Sequence, residues 1–363
     1  FAAAMILYPV WYDPSGDRLC ELEDAIAHLA AGARAWREDR RGYCALGMRP
    51  WKRPHLSRAF GREVPVRYSR RSKGDRQTVV WGMGDAPEGA LRMEDGFLRS
   101  RGLGAALTPP LSLVLDHPSL YFDPSTEGRL DRLVSASVNL PPGEIRRAER
   151  LMARISRLGL TKYNISGALP DLPTGPRSIL VPGQVEDDAS VVHGADEIRT
   201  NLELLRKVRT ENPDARILWK PHPDVEAGLR KGAVDDRELE GLADFSLAHV
   251  GAAEALAAAD EVWTITSTLG FEALLRGVPV TCLGMPFYGG RGLTTDLAPR
   301  PAHRRVDTTL AGLAHACLIG YPRYFDPGTG APISPEEAVT LLASGIEMPR
   351  VNKLMAWLHS LVR

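Results

Sequence analysis

Short apolar runs alternate with amphipathic stretches along most of the chain. Gln77-Thr-Val-Val-Trp-Gly82 reads as a strand ending in a tight turn, and Ser112-Leu-Val-Leu-Asp116 as a second strand. Gly143 to Leu158 has the spacing of a charged amphipathic helix. Ser178-Ile-Leu-Val-Pro182 is a buried-type strand, followed by a helix over Ile198 to Arg209 and a strand Arg216-Ile-Leu-Trp-Lys220 stopped by Pro221. An Ala-rich helix (Ala252 to Ala259), a strand (Glu261 to Ile265), a helix (Gly270 to Arg276) and a last strand (Val278 to Leu283) complete the series. Such alternation predicts an α/β protein with parallel sheets and crossover helices, its ligands at the carboxyl ends of the strands.

Leu169-Pro-Asp-Leu-Pro-Thr-Gly-Pro176 favours neither helix nor strand and divides the chain into two Rossmann-like halves. Tyr8-Pro-Val-Trp-Tyr-Asp-Pro-Ser-Gly16 recurs as Tyr321-Pro-Arg-Tyr-Phe-Asp-Pro-Gly-Thr-Gly330, about 310 residues on. Each copy precedes an acidic helical stretch, Glu21 to Ile26 and Pro335 to Val339. Because Tyr, Pro, Asp and Pro hold their offsets, we read one whole module preceded by the tail of a similar one. The expected organisation is a linker repeat and helical lead-in over 1–60 and an acceptor-side domain over 61–172. A nucleotide-binding domain follows over 173–320, then the second linker repeat and terminal helices over 321–363.

The 363 residues suffice for two domains with real cores. Lys+Arg 45 balance Asp+Glu 45, so a general nucleic-acid binder is disfavoured and any anionic ligand must be held by local groups. Cys20, Cys44, Cys282 and Cys317 are scattered, which fits a reducing cytosol better than a zinc or disulfide framework. No apolar run approaches the ~20 residues that span a bilayer. The opening Phe1 to Tyr8 is apolar without a basic start, a poor signal peptide that reads instead as the run into a structural segment. Arg146, Arg147, Arg150, Arg154 and Arg157 share one helix; a solvated face paired with Glu144 and Glu149 explains them better than a membrane-binding patch does.

Four clusters stand at strand ends. Glu94-Asp-Gly-Phe-Leu-Arg-Ser100 offers two acids and Arg99 for acid chemistry and anion binding, or else a solvated turn. Pro182-Gly-Gln-Val-Glu-Asp-Asp-Ala-Ser190 carries Gln184, Glu186, Asp187, Asp188 and Ser190; its carboxylates suit a nucleophile or base, or the cap of a following helix. Consecutive carboxylates diverge, so no metal is expected there. Lys220-Pro-His-Pro-Asp224 locks His222 between prolines. In Thr264-Ile-Thr-Ser-Thr-Leu-Gly-Phe-Glu272, hydroxyl residues meet a helix start, which serves as anion site, as N-cap, or as both.

Together with Pro109-Pro-Leu-Ser-Leu-Val-Leu-Asp116 and Gly270-Phe-Glu-Ala-Leu-Leu-Arg-Gly277, these stretches resemble the bacterial capsule β-Kdo transferases of the KpsC type. The resemblance covers nearly the whole chain, and the Gln-Val-Glu-Asp-Asp-Ala-Ser form looks like the C-terminal module of the two-module proteins. At Gly289-Gly-Arg-Gly292 this chain departs from the Ala-Gly-Trp-Gly frequent in the family. The resemblance implies a GT-B-like, metal-independent enzyme of Gram-negative bacteria, with no cofactor. It also implies retaining transfer of Kdo from CMP-Kdo to a lipid-linked oligo-Kdo acceptor, in capsule polysaccharide biosynthesis. Its expected partner is a preceding homologous module in the same chain, and its place the cytoplasmic face of the inner membrane. Asp188 is then the nucleophile and Glu94 or Asp95 the acid/base. His222, Ser267, Thr268 and the nearby Lys220 hold the CMP phosphate, with Gln184, Ser190, Arg99, Gly270 and Glu272 in the substrate site. The rivals are transfer of another CMP-sugar, such as sialic acid, and a non-catalytic module that grips glycolipid.

Overall fold

The computed structural model describes residues 10–13, 18–72, 74–103, 107–346 and 348. Most of the first repeat copy from Tyr8 to Gly16, the opening apolar run and the end of the chain after Met348 therefore lie outside the described residues.

Two sheets organise the chain. The second is all parallel, with the strand order Phe245–Ser246, Arg216–Lys220, Ser178–Pro182, Glu261–Thr264, Val280–Cys282 and Thr295–Asp296. Its first strand in sequence, Ser178–Pro182, lies at the centre, and successive strands are added outward on one side and then the other. This is the doubly wound dinucleotide-fold order, whose crevice opens where the winding reverses, between Ser178–Pro182 and Glu261–Thr264. Every residue of the central strand is buried, because helices cover both faces.

The first sheet departs from the all-parallel expectation. Arg67–Ser69, Tyr43–Leu46, Gln77–Trp81 and Leu91–Asp95 are parallel neighbours. Ser112–Asp116 then pairs antiparallel with Leu91–Asp95. Among the described residues no helix intervenes between these two strands, and only a parallel neighbour requires a long crossover. Arg323–Phe325 continues the sheet on Ser112–Asp116, and Pro332–Ile333 ends it, both antiparallel. Strands thus come to this sheet both from the lead-in over 1–60 and from the second repeat copy.

Capping sets the helix starts. The helix expected from Ile198 begins at Asn201, because Thr200 and Glu203 form a reciprocal capping box. The helix expected from Gly270 begins at Thr268, because Ser267 caps it. Pro142–Arg157 forms as expected, but its arginines are not all solvated. Arg147 pairs with Glu336 at 2.8 Å, and Arg154 reaches Thr340 at 3.0 Å, so the helix pins Pro335–Ala343 to the core.

The halves share one apolar core. Phe97 stacks on Phe287 with ring centroids 4.3 Å apart, and Phe271 packs against both. Asp131 of helix Arg129–Ala136 receives Arg304 at 3.0 Å and also Arg291, which stands at the Trp position of the Ala-Gly-Trp-Gly pattern. Arg291 is fully buried, so its charge is used inside the fold between the halves. The architecture is GT-B-like, two α/β halves facing across a cleft. Among the described residues, no helix is long and apolar enough to cross a membrane.

Candidate functional site

The cleft between the halves is a cavity of about 1320 Å³, and a second cavity of about 460 Å³ lies over the winding crevice of the second sheet. Lys162, Tyr163, Asp188, Ser190 and Arg230 line both, so the two open into each other.

Strand Leu91–Asp95 delivers Glu94 and Asp95 to the large cavity. The environments of these two acids differ sharply. Burial and the neighbouring Asp95 charge push the Glu94 carboxyl up to about 7. Burial acts on Asp95 in the same direction, but Arg99 and Lys52 outweigh it and hold that carboxyl below the ordinary range. The Asp95–Arg99 contact is 2.5 Å, and Arg99 also donates to Ser100. Arg99 thus spends its charge on Asp95, where the sequence suggested a substrate anion. Lys52, stacked over Trp81, is lowered to about 8 by burial against the pull of Asp95 and Glu94. Neighbouring environments thus push the two adjacent carboxyls apart, Glu94 up and Asp95 down, an arrangement that can serve acid/base chemistry.

The loop after Ser178–Pro182 uses each polar residue differently. Gln184 is buried across the winding crevice: its Nε2 donates to Thr266 Oγ1 and its Oε1 accepts Thr266 N–H, both at 2.9 Å. It braces the two central strand ends. Glu186 accepts Asn201 N–H at 2.8 Å, and Asp187 pairs with Arg230 at 2.9 Å. Asp188 caps Ala189–Gly194, its Oδ1 accepting from Ser190 N (3.0 Å) and Ser190 Oγ (2.8 Å). Both cap bonds fall on Oδ1 and hold the carboxylate at the junction of the two cavities, which Asp188 lines. The three carboxylates diverge, as their consecutive positions require. Among the described residues, no group of three or more His, Cys, Asp or Glu is placed to hold a metal ion.

The smaller cavity takes in Lys220, His222, Ser267, Thr268 and Glu272. His222 Nδ1 accepts Asp224 N–H at 3.1 Å, and burial lowers the ring to about 4, with Lys162 adding to the effect. The imidazole is therefore neutral near pH 7 with its proton on Nε2, a hydrogen-bond donor without net charge. Lys220 is lowered by burial, against the pull of Glu226 and Glu254. Ser267 Oγ caps Leu269 N at 3.2 Å, and Ser267 O accepts Gly270 N–H at 3.1 Å. Thr264 Oγ1 accepts Ser267 N–H at 3.1 Å, which leaves the Thr268 amide as the one of that helix start with no acceptor inside the helix. Gly270 does not line either cavity. A Cβ there would lie 2.1 Å from the Tyr288 hydroxyl, which donates to Ser267 O at 2.6 Å; the glycine lets that tyrosine brace the helix start. Glu272 lines the smaller cavity but accepts Lys162 N–H at 2.6 Å, its carboxyl raised by burial to about 6. It is a support for Lys162.

Lys162 is the residue that the motifs miss. Burial opposes its charge, yet Tyr163, Tyr121 and the carboxylates Asp95 and Asp188 hold it above the usual lysine value. It stands in electrostatic reach of both acidic clusters, one from each half. The only sequence signal is a lysine just past the apolar end of the Pro142–Arg157 helix, at the domain junction.

Residues 168–324 match the family model described as capsule polysaccharide biosynthesis protein. The chain is 38% identical over 97% of its length to the capsule polysaccharide modification protein LipA of Neisseria meningitidis serogroup B, of which it covers 52%. It therefore spans about half the length of LipA. Among solved structures, the Thermosulfurimonas dismutans KpsC β-Kdo 2,7 transferase is 34% identical with a TM-score of 0.69, over 83% of this chain and 98% of that one. The β-Kdo 2,4 transferase of the same organism's KpsC is 30% identical with a TM-score of 0.72, over 84% and 98%.

Proposed function

Because the chain belongs to the KpsC-type capsule polysaccharide family, we propose that it is a retaining β-Kdo transferase acting from CMP-Kdo on a lipid-linked oligo-Kdo acceptor. The observation that carries the reading is the joined cavity pair, which collects Glu94, Asp188 and Lys162 from both halves around one space. In the first step an Asp188 oxygen attacks the anomeric carbon of Kdo, and the bond to the phosphate breaks with its electron pair leaving on CMP. In the second, an acceptor hydroxyl attacks that carbon, its proton passes to Glu94, and the Asp188 carboxylate is released. Two inversions give retention. Kdo bears a carboxylate beside its anomeric carbon, and Lys162, in electrostatic reach of Asp188, is the fixed cation that pairs with it in this reading. The neutral His222 Nε2–H and the Thr268 amide and hydroxyl at the Ser267 end of its helix receive the phosphate of CMP. The module works at the cytoplasmic face of the inner membrane, reaching an acceptor end that extends into water.

The reading is tested by mass spectrometry of a short Kdo acceptor incubated with a panel of CMP-sugars. Addition of Kdo alone is expected, and undiminished in excess EDTA, because Glu186, Asp187 and Asp188 are each directed to a different partner. Consumption of CMP-sialic acid instead, or of no donor, would overturn it; magnesium-rescued loss in EDTA would overturn the metal-free chemistry.

The nucleotide subsite has its own test. Calorimetry should show Ser267→Ala/His222→Ala binding CMP about 1–3 kcal/mol more weakly. Because Ser267 also caps its helix, His222→Ala alone separates ligand contact from helix loss, and unchanged affinity in both variants would place CMP elsewhere.

A further inference from the structure

The hairpin near the start of the chain repeats the one near its end in more than sequence. Trp11 pairs with Cys20 and Tyr12 with Leu19, antiparallel. Tyr324 pairs with Ile333 and Phe325 with Pro332, also antiparallel. With Trp11 laid on Tyr324, every one of these positions coincides, and a helix follows each hairpin at the same distance, Leu22–Asp39 after one and Pro335–Ala343 after the other. The same alignment lays Ala25, Ile26 and Leu29 on Ala338, Val339 and Leu342.

Their surroundings differ. Phe325, Val339 and Leu342 are all 0% exposed, Phe325 in the core with Phe60 and Leu113, and Val339 and Leu342 in the core that includes Leu151 and Ile155 of helix Pro142–Arg157. Tyr12, Ile26 and Leu29 are 57%, 55% and 69% exposed. The late hairpin is the edge of a seven-stranded sheet, whereas the early one forms a sheet of two strands. Two strands alone are marginal in water.

We propose that the early hairpin and the first turns of its helix dock on the first sheet of a preceding homologous module in the same chain. Trp11–Asp13 would extend that module's sheet as Arg323–Phe325 extends this one on Ser112–Asp116. Each hairpin–helix unit thus completes the module before it, while helix Leu22–Asp39 joins it to the module after. The onward join is built: Arg323 forms a two-pronged ion pair with Asp39 at 2.6 and 2.7 Å, and Arg34 donates to the carbonyls of Tyr321 and Pro322. Charge agrees as well. Glu336 binds Arg147 in the late unit, and Glu23 holds its place in the early one. The coverage of only 52% of LipA supplies room for a module of this size. The proposal concerns assembly and does not depend on which sugar is transferred.

The test compares this 363-residue chain with the longer chain that includes its upstream module. Hydrogen exchange at amides 11–13 and 18–20 should be fast in the short chain and protected in the long one. Ile26→Glu/Leu29→Glu should lower the unfolding temperature of the upstream module by about 5 °C or more in the long chain, and leave the short chain unchanged. Equal exchange in both chains, or equal loss of stability in both, would overturn the proposal. So would a short chain that sediments as a dimer and becomes monomeric in the double variant, since a second copy would then be the occupant.

Discussion

Asp188→Asn is expected to reduce Kdo transfer by roughly four to six orders of magnitude, the scale of loss on removing a covalent nucleophile. Asn is the sharper substitution because the capping geometry constrains the choice. Asp188 Oδ1 accepts from both Ser190 N and Ser190 Oγ, and an amide oxygen can keep both bonds. Ala removes the cap as well, adding about 0.5–2 kcal/mol of helix destabilisation that confuses the result. Asp188→Asn should therefore retain the wild-type unfolding temperature and CMP affinity while turnover collapses. In the wild type, intact-protein mass spectrometry after mixing with CMP-Kdo alone should show a protein heavier by one Kdo residue, absent from the variant. Near-normal turnover in Asp188→Asn would remove the assignment. Glu186 and Asp187 are poor heirs, being committed to Asn201 and Arg230.

The four inner strands of the second sheet were legible in the sequence because they are short, mostly apolar runs, whereas the two-residue edge strands Phe245–Ser246 and Thr295–Asp296 carry no such pattern. Ser178–Pro182 and Arg216–Lys220 fall where the pattern puts them. The mixed character of the first sheet was not legible. Arg323–Phe325 reaches it from more than two hundred residues beyond Ser112–Asp116, and periodicity carries no information about partners. The site divides along the same line. Strand ends marked Glu94, Asp188 and His222, because a strand end in an α/β fold faces the cleft. What each polar group does there was hidden. Gln184 braces the crevice, Gly270 makes way for Tyr288, and Glu272 supports Lys162, all through contacts remote in sequence. Lys162 itself sits in no motif, and only the meeting of the halves gives it two carboxylates to neutralise.

In the proposed mechanism, the environment of the two adjacent acids favours Glu94 over Asp95 as the group that accepts the proton of the acceptor hydroxyl. Glu94 is raised to about 7 by burial and by Asp95, so it gains its charge only as pH climbs through neutrality. A base must be ionised to act, so turnover should rise with pH along a limb centred near that value. The first step needs no proton for its leaving group, and the limb should therefore belong to the second. Asp95, held below its ordinary 3.8 by Arg99 and Lys52 once burial is overcome, is ionised throughout the working range and would place the limb far lower. Glu94→Gln is expected to slow transfer by about 10²–10⁴-fold and to flatten the limb near neutrality. Asp95→Asn removes the neighbouring charge that helps to raise Glu94, so the limb should shift toward acid while activity persists. The measurement is turnover from pH 5 to 9 at saturating CMP-Kdo for wild type and both variants. A limb that survives in Glu94→Gln, or one that disappears in Asp95→Asn, would transfer the base to another residue.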